Sequence, residues 1–168
     1  LNVFNSRSLA YLKDKELESA CVSFELRFAQ IRDLKKVLRA EAIVYGRLPL
    51  MITENCLVQN ETGCRLDRQG PCVPEDGPCR CGQPNVLVDR TGAAFPLLPA
   101  YGHRTEIQNS KPLYLADRPE HRRLGLAYAR LRFTTETAEE CVSVVQNYLD
   151  AAPAAGDFTR GLYERGVE

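Results

Sequence analysis

A chain of 168 residues with 44% hydrophobic and 26% charged content is one ordinary domain's worth of sequence, able to bury a core and outside the disordered class. Lys+Arg and Asp+Glu both number 22, so the formal net charge is zero and no global basic field draws in nucleic acid. The longest apolar runs are about five residues, against the ~20 that a membrane helix needs, and no secretory leader is recognisable, which points to the cytoplasm and away from a membrane.

Taken in chain order, the first third alternates strand and helix. Leu1-Asn2-Val3-Phe4-Asn5 is a short apolar strand whose opening, together with a lone methionine at Met51, reads as the middle of a fold and hence as a piece of a longer protein. Ser6 or Ser8 can cap a helix running to about Lys15. Ala20–Phe24 is a second strand. The spacing of Phe28, Ile31, Leu34, Val37 and Leu38 predicts a helix from about Arg27 to Arg39. Ala42–Tyr45 is a third strand, ended by Gly46. Strands alternating with helices imply a parallel sheet with covering helices.

From Gly46 to Pro112 the texture changes. Gly, Pro, Asn and Cys become frequent, and one hairpin signal survives: Val86–Asp89, a turn at Arg90-Thr91-Gly92, then Ala93–Leu98. After Pro112 the first texture returns. Leu113–Leu115 is extended, Asp117 to about Leu126 is helical with a solvated His121, and Tyr128–Phe133 is a strand. Thr135 opens a final helix whose apolar face is Cys141, Val144, Val145, Tyr148 and Leu149, followed by a loosely held tail. The domain reading is therefore βα units over 1–46, a Cys-rich insertion over 47–112, a final βα region over 113–150, and a tail over 151–168. Long excursions inside a compact domain are usually functional, and α/β sites gather beyond the carboxyl ends of strands, so the insertion is the favoured functional region.

Five of the seven cysteines, Cys56, Cys64, Cys72, Cys79 and Cys81, lie inside that insertion. Thiolates are soft, charged ligands for zinc or iron–sulfur clusters, and such a site can hold together a segment too polar to fold around its own core. The spacing matches no standard zinc finger, so the liganding four stay open; the alternative is a cytosolic segment of unligated thiols. His103, one of two histidines, is either a fourth ligand, an acid–base group or a surface residue. Arg47, just past the strand end, suits a carboxylate or phosphate, or a structural ion pair.

The run Val44-Tyr45-Gly46-Arg47-Leu48-Pro49-Leu50-Met51-Ile52-Thr53-Glu54-Asn55-Cys56 resembles the collagenase-like peptidases of family U32. The resemblance continues through Leu87–Pro96 and Arg104–Leu113, with further likeness at Leu1–Ser6, Ser23–Leu26 and Phe158–Gly161. It implies the later half of a (β/α) TIM-like barrel carrying a Cys-rich, hairpin-containing insertion. It also implies a peptidase, or, as in similar proteins, oxygen-independent hydroxylation of RNA bases or of a quinone precursor. Those relatives hold a [4Fe-4S] cluster on four cysteines near the barrel mouth. Cys56 matches one ligand, and among Cys64, Cys79 and Cys81 the last two best match a pair before the Asp-Arg-x-Gly hairpin. Pro49 and His103 stand where relatives carry cysteines, which leaves a Cys3His site, a zinc site and an empty site open. Arg47 and Arg104 are the substrate-binding candidates, for peptide or RNA. No Ser–His–Asp set or zinc-protease helix is visible, and a free Cys56 is the single candidate nucleophile. The remaining class is a metal-stabilised binding module without chemistry of its own. A truncated barrel would leave apolar strand edges exposed, which favours self-association.

Overall fold

A computed structural model describes residues 3–62 and 80–165 of the chain. It divides into two compact units: one made of Leu1–Gly46 with Lys111–Glu168, the other of Arg47–Ser110.

In the first unit Val3 bridges in parallel to Val22. Helix α1 (Ser6–Asp14) is capped by Asn5, not by Ser6 or Ser8: the extended Asn5 turns its side-chain oxygen to the Ser8 N–H at 2.9 Å. Leu9 and Leu12 are its buried residues. Strand β1 (Ser19–Cys21) follows, then helix α2 (Phe28–Asp33). This helix is shorter than its periodicity predicts. Leu34 turns extended, and the Lys36 ammonium donates to the carbonyls of Ile31, Arg32 and Leu34, so Val37 and Leu38 lie outside the helix. Strand β2 (Arg39–Gly46) is the central strand, buried along nearly its whole length.

Four more strands and a helix belong to the second unit: β3 (Pro49–Thr53), α3 (Leu57–Thr62), β4 (Asn85–Val88), β5 (Ala94–Ala100) and β6 (Arg104–Gln108), with a 3₁₀ turn at Arg80–Gly82. They form an antiparallel four-stranded sheet ordered β3-β6-β5-β4. The predicted hairpin is its β4–β5 pair. Asp89 closes the turn by accepting from the Thr91 N–H (2.8 Å), the Thr91 hydroxyl (2.7 Å) and the Ala93 N–H (3.0 Å), and Gly92 supplies the positive φ. Strands β3 and β6 escaped the sequence pattern. Leu50, Met51 and Ile52 are consecutive apolar residues, all exposed on an edge strand, so no alternation marks them.

The first unit resumes with β7 (Leu113–Tyr114), a 3₁₀ turn at Pro119–Arg123, β8 (Tyr128–Leu131) and α4 (Ala138–Leu149). β2 pairs in parallel with β1 and with β8, and the Val3–Val22 bridge is parallel too, as the alternation of strand and helix predicts. β7 is the exception, running antiparallel to β2 at Tyr45↔Tyr114 and Gly46↔Leu113. The fold is thus mixed α/β with two sheets and few helices.

Further expectations are corrected. The predicted helix from Asp117 is only a 3₁₀ turn, because Pro119 enters at its start behind an extended Arg118 and Gly125 turns left-handed just past its end. Helix α4 starts at the Thr137 cap rather than at Thr135, with Thr137 and Glu140 bonding reciprocally as a capping box. Its apolar face is split: Val144 and Tyr148 pack on the cluster of Tyr45, Tyr114 and Ala116, while Val142, Val145 and Leu149 are exposed. The tail is not loose. Thr159 bridges Leu113, Arg160 pairs with Asp117, and Tyr163 is buried.

His121, expected in solvent, is 6% exposed. Its Nδ1 donates to the Arg118 carbonyl, and its ring meets Tyr148 edge-on at 6.4 Å. Burial is the largest influence and holds its pKa below the usual imidazole value, against the pull of the Arg118 carbonyl. The unfolded chain takes up this proton near ~6.5, the folded chain only at lower pH, so the stability His121 contributes is present above ~6.5 and is lost as pH falls below it. The urea midpoint should therefore drop between about pH 7.5 and pH 5.5, ahead of the more acidic range in which Asp117, held low by Arg160, is protonated. A His121→Phe chain should lose most of that slope; an unchanged slope would refute the assignment.

Candidate functional site

The insertion builds its cavity from four pieces. Strand β3 delivers the chain to Thr53, whose hydroxyl donates to the Asn55 carbonyl at 2.6 Å and turns the backbone toward Cys56. Thr105 on β6 is buried, and its hydroxyl oxygen accepts from the Leu57 N–H at 3.0 Å, fixing the start of α3 immediately after Cys56. The 3₁₀ turn that carries Cys81 is held by the Asn85 amide, which donates to the carbonyls of Arg80 (2.9 Å) and Gln83 (2.7 Å). The β5–β6 turn passes through Gly102 and His103, both at positive φ; histidine is among the few side chains found there with any frequency.

Together these pieces enclose a cavity of about 430 Å³, lined by Cys56, Cys81, His103 and Arg104 among apolar residues of β5 and by Thr105. Cys56 is 6% exposed and Cys81 half-buried. Three of the five predicted metal ligands, Cys56, Cys81 and His103, thus line one cavity. Cys64 and Cys79, like Cys72, lie outside the described residues. Among the described residues, no three His, Cys, Asp or Glu side chains are grouped so as to hold a metal ion. Cys21 and Cys141 belong to the other unit. Burial is the largest cause of the raised Cys21 pKa and Glu41 the next, so its thiol is kept protonated.

The two substrate-binding candidates have protein partners. The Arg47 guanidinium donates to the carbonyls of Asn109 (3.0 Å) and Ser110, tying the start of the insertion to its end beside the Leu48–Asn109 backbone bond. Arg104 reaches the same Glu54 oxygen through Nε (3.0 Å) and Nη2 (2.9 Å), with Glu54 largely exposed. An exposed pair of this kind contributes little to folding. Arg104→Gln should shift the unfolding free energy by less than about 1 kcal/mol, and a loss well beyond that in a denaturant titration would assign Arg104 a structural role instead.

Sequence reasoning missed Thr105, Thr53 and Asn85, which position the cavity walls. Thr53 and Asn85 bond within five residues and are ordinary turn-forming signals, whereas the Leu57 partner of Thr105 lies 48 residues away and no local pattern records it.

A mixed α/β chain with a thiol- and imidazole-lined cavity in an antiparallel insertion is the class that fold and site define. The model of peptidase family U32 matches residues 1–90, more than half of the chain, and the chain belongs to that family. The match takes in Arg47, Cys56 and Cys81 and ends before His103 and Arg104. No curated protein and no solved structure matches the chain.

Proposed function

We propose that this chain is the part of a U32 peptidase that carries a cysteine-ligated metal or iron–sulfur site, with its parallel strands forming the later half of a (β/α) barrel. One observation carries the reading: Cys56, Cys81 and His103 line the same cavity. Two thiols and an imidazole are the donor chemistry that zinc and iron–sulfur clusters select. Cys56, Cys79 and Cys81 would hold the group, with Cys64 or His103 completing the set. A bound zinc would supply Lewis acidity and a bound cluster electron transfer. Arg104 at the cavity wall and Arg47 at the neck of the insertion are the groups we assign to the substrate, a peptide. Hydroxylation of an RNA base is the alternative activity, and a metal-stabilised module without chemistry is the second.

The cytoplasm suits such thiols, which stay reduced there. Among the described residues no helix is long and apolar enough to cross a membrane. The edge strand β8 and the exposed Val142, Val145 and Leu149 of α4 support self-association of this chain.

Zinc titration of the reduced chain tests the site. The expected result is one tightly bound zinc, lost in a Cys56→Ser/Cys81→Ser chain and weakened by His103→Ala. Anaerobic reconstitution with iron and sulfide should otherwise give a brown protein that bleaches in air. Full-length protein should then be assayed on gelatin and on bulk RNA. Proteolysis that survives chelator and loss of every cysteine would refute the metal-dependent reading; modification of RNA without proteolysis would favour the alternative.

A further inference from the structure

We propose that Cys56 and Cys81 are also a redox pair: when the cavity holds no metal, a low-molecular-weight disulfide links them, and the linked form does not bind metal. This regulatory role rests on the reading of the cavity as a metal site. Among the described residues these are the insertion's two cysteines, and they come from different elements, the β3–α3 junction and the 3₁₀ turn, with α3 packed against that turn. Both line one cavity, so neither has to cross a sheet to meet the other.

Their burial differs, and that sets the order of events. Cys81 is half-buried and Cys56 buried, so the incoming disulfide meets Cys81 first. The Cys81 thiolate attacks one sulfur of glutathione disulfide; that S–S bond breaks and one glutathione leaves as its thiolate. The Cys56 thiolate then attacks the Cys81 sulfur of the mixed disulfide, and the second glutathione leaves. Two protein thiols are oxidised by two electrons, one glutathione disulfide is reduced to two thiols, and the two cysteine protons pass to the departing glutathiones. The product has spent both sulfur ligands, and a disulfide sulfur carries no charge to bind zinc or iron.

The whole reduced, metal-free chain is incubated with glutathione disulfide, digested without reductant, and its cross-linked peptides are mapped by mass spectrometry. The expected result is a Cys56–Cys81 linkage, with zinc uptake falling in proportion to the linkage and recovering on reduction. Cys56→Ser should trap glutathione on Cys81, whereas Cys81→Ser should leave Cys56 unmodified; the mapping of the unsubstituted chain stands even if a variant fails to fold. Cross-links confined to other cysteines, or a lasting mixed disulfide on Cys81 of the unsubstituted chain, would overturn the proposal. If the linkage forms but the reduced chain never binds zinc, the redox pairing holds and the metal reading is what fails. If zinc binds and no Cys56–Cys81 linkage appears, the reverse is true.

Discussion

Gly46→Ala is expected to destabilise the chain by about 3 kcal/mol or more, the sum of backbone strain and forced repacking. Gly46 ends β2 at φ +117°, a conformation that side chains rarely adopt. A Cβ built there would lie 2.0 Å from the Arg132 carbonyl oxygen and 2.9 Å from its carbon. Those are backbone atoms, and the Arg132 N–H is bonded to the Tyr45 carbonyl at 2.9 Å, so the neighbour has no easy way to give. Gly156→Ala is the control: its φ is also positive, +78°, but nothing lies within 4 Å of the new Cβ. That control should cost only the strain, roughly 1 kcal/mol. Denaturant midpoints of the two variants measure the difference, and equal losses would show that the close approach to Arg132 is not what makes Gly46 necessary.

Tyr163→Ala should cost about 3–5 kcal/mol, the range of an aromatic removed from a core. Tyr163 is 1% exposed, its hydroxyl donates to the Ile43 carbonyl at 2.6 Å, and its ring stacks on Phe28 with centroids 5.2 Å apart. Burial raises its pKa, so the phenol is a fixed donor. Tyr163→Phe keeps the ring and gives up the hydrogen bond, at a cost of about 1 kcal/mol. The ordering of the two variants in an unfolding titration is the check. If Tyr163→Ala unfolds at the same midpoint as the unsubstituted chain, the C-terminal segment is not part of the core.

That segment shows where local reading stops. The small residues Pro153–Gly156 look like the start of a frayed end. What holds the segment lies elsewhere: Arg160 donates to the Tyr114 carbonyl and to both Asp117 oxygens, with its guanidinium 4.5 Å over the Phe158 ring. The hydrogen-bond partners of Arg160 lie 43 and 46 residues away along the chain. His121 fails for the same reason. A histidine among Arg118, Glu120, Arg122 and Arg123 has the composition of a solvated helix, and only the packing of the turn against Tyr148 buries it.

The site was legible to a different extent. The cysteine clustering included Cys56 and Cys81 among five candidates, and the Arg-Thr-Glu-Ile run led to His103 and Arg104 beside them. The cavity that unites them depends on the β3–β6 and β5–β6 pairings, whose registers, Thr53↔Thr105 and Ala100↔Arg104, join segments with weak alternation. Even the prolines mislead. Pro96 and Pro99 argue against an interior strand, yet β5 lies between β4 and β6.

By itself the sequence determined the α/β class, the parallel strands of the first unit and the Asp89–Gly92 hairpin. It also determined the family and the concentration of thiols in one insertion. Those features are written in local periods, turn residues and composition, which act over a few neighbouring positions. Tertiary structure alone decided the antiparallel sheet of the insertion, the burial of His121 and Tyr163, and the shared cavity of Cys56, Cys81 and His103. Each depends on a partner tens of residues distant, where the free energy of packing and of satisfying buried polar groups outweighs local propensity.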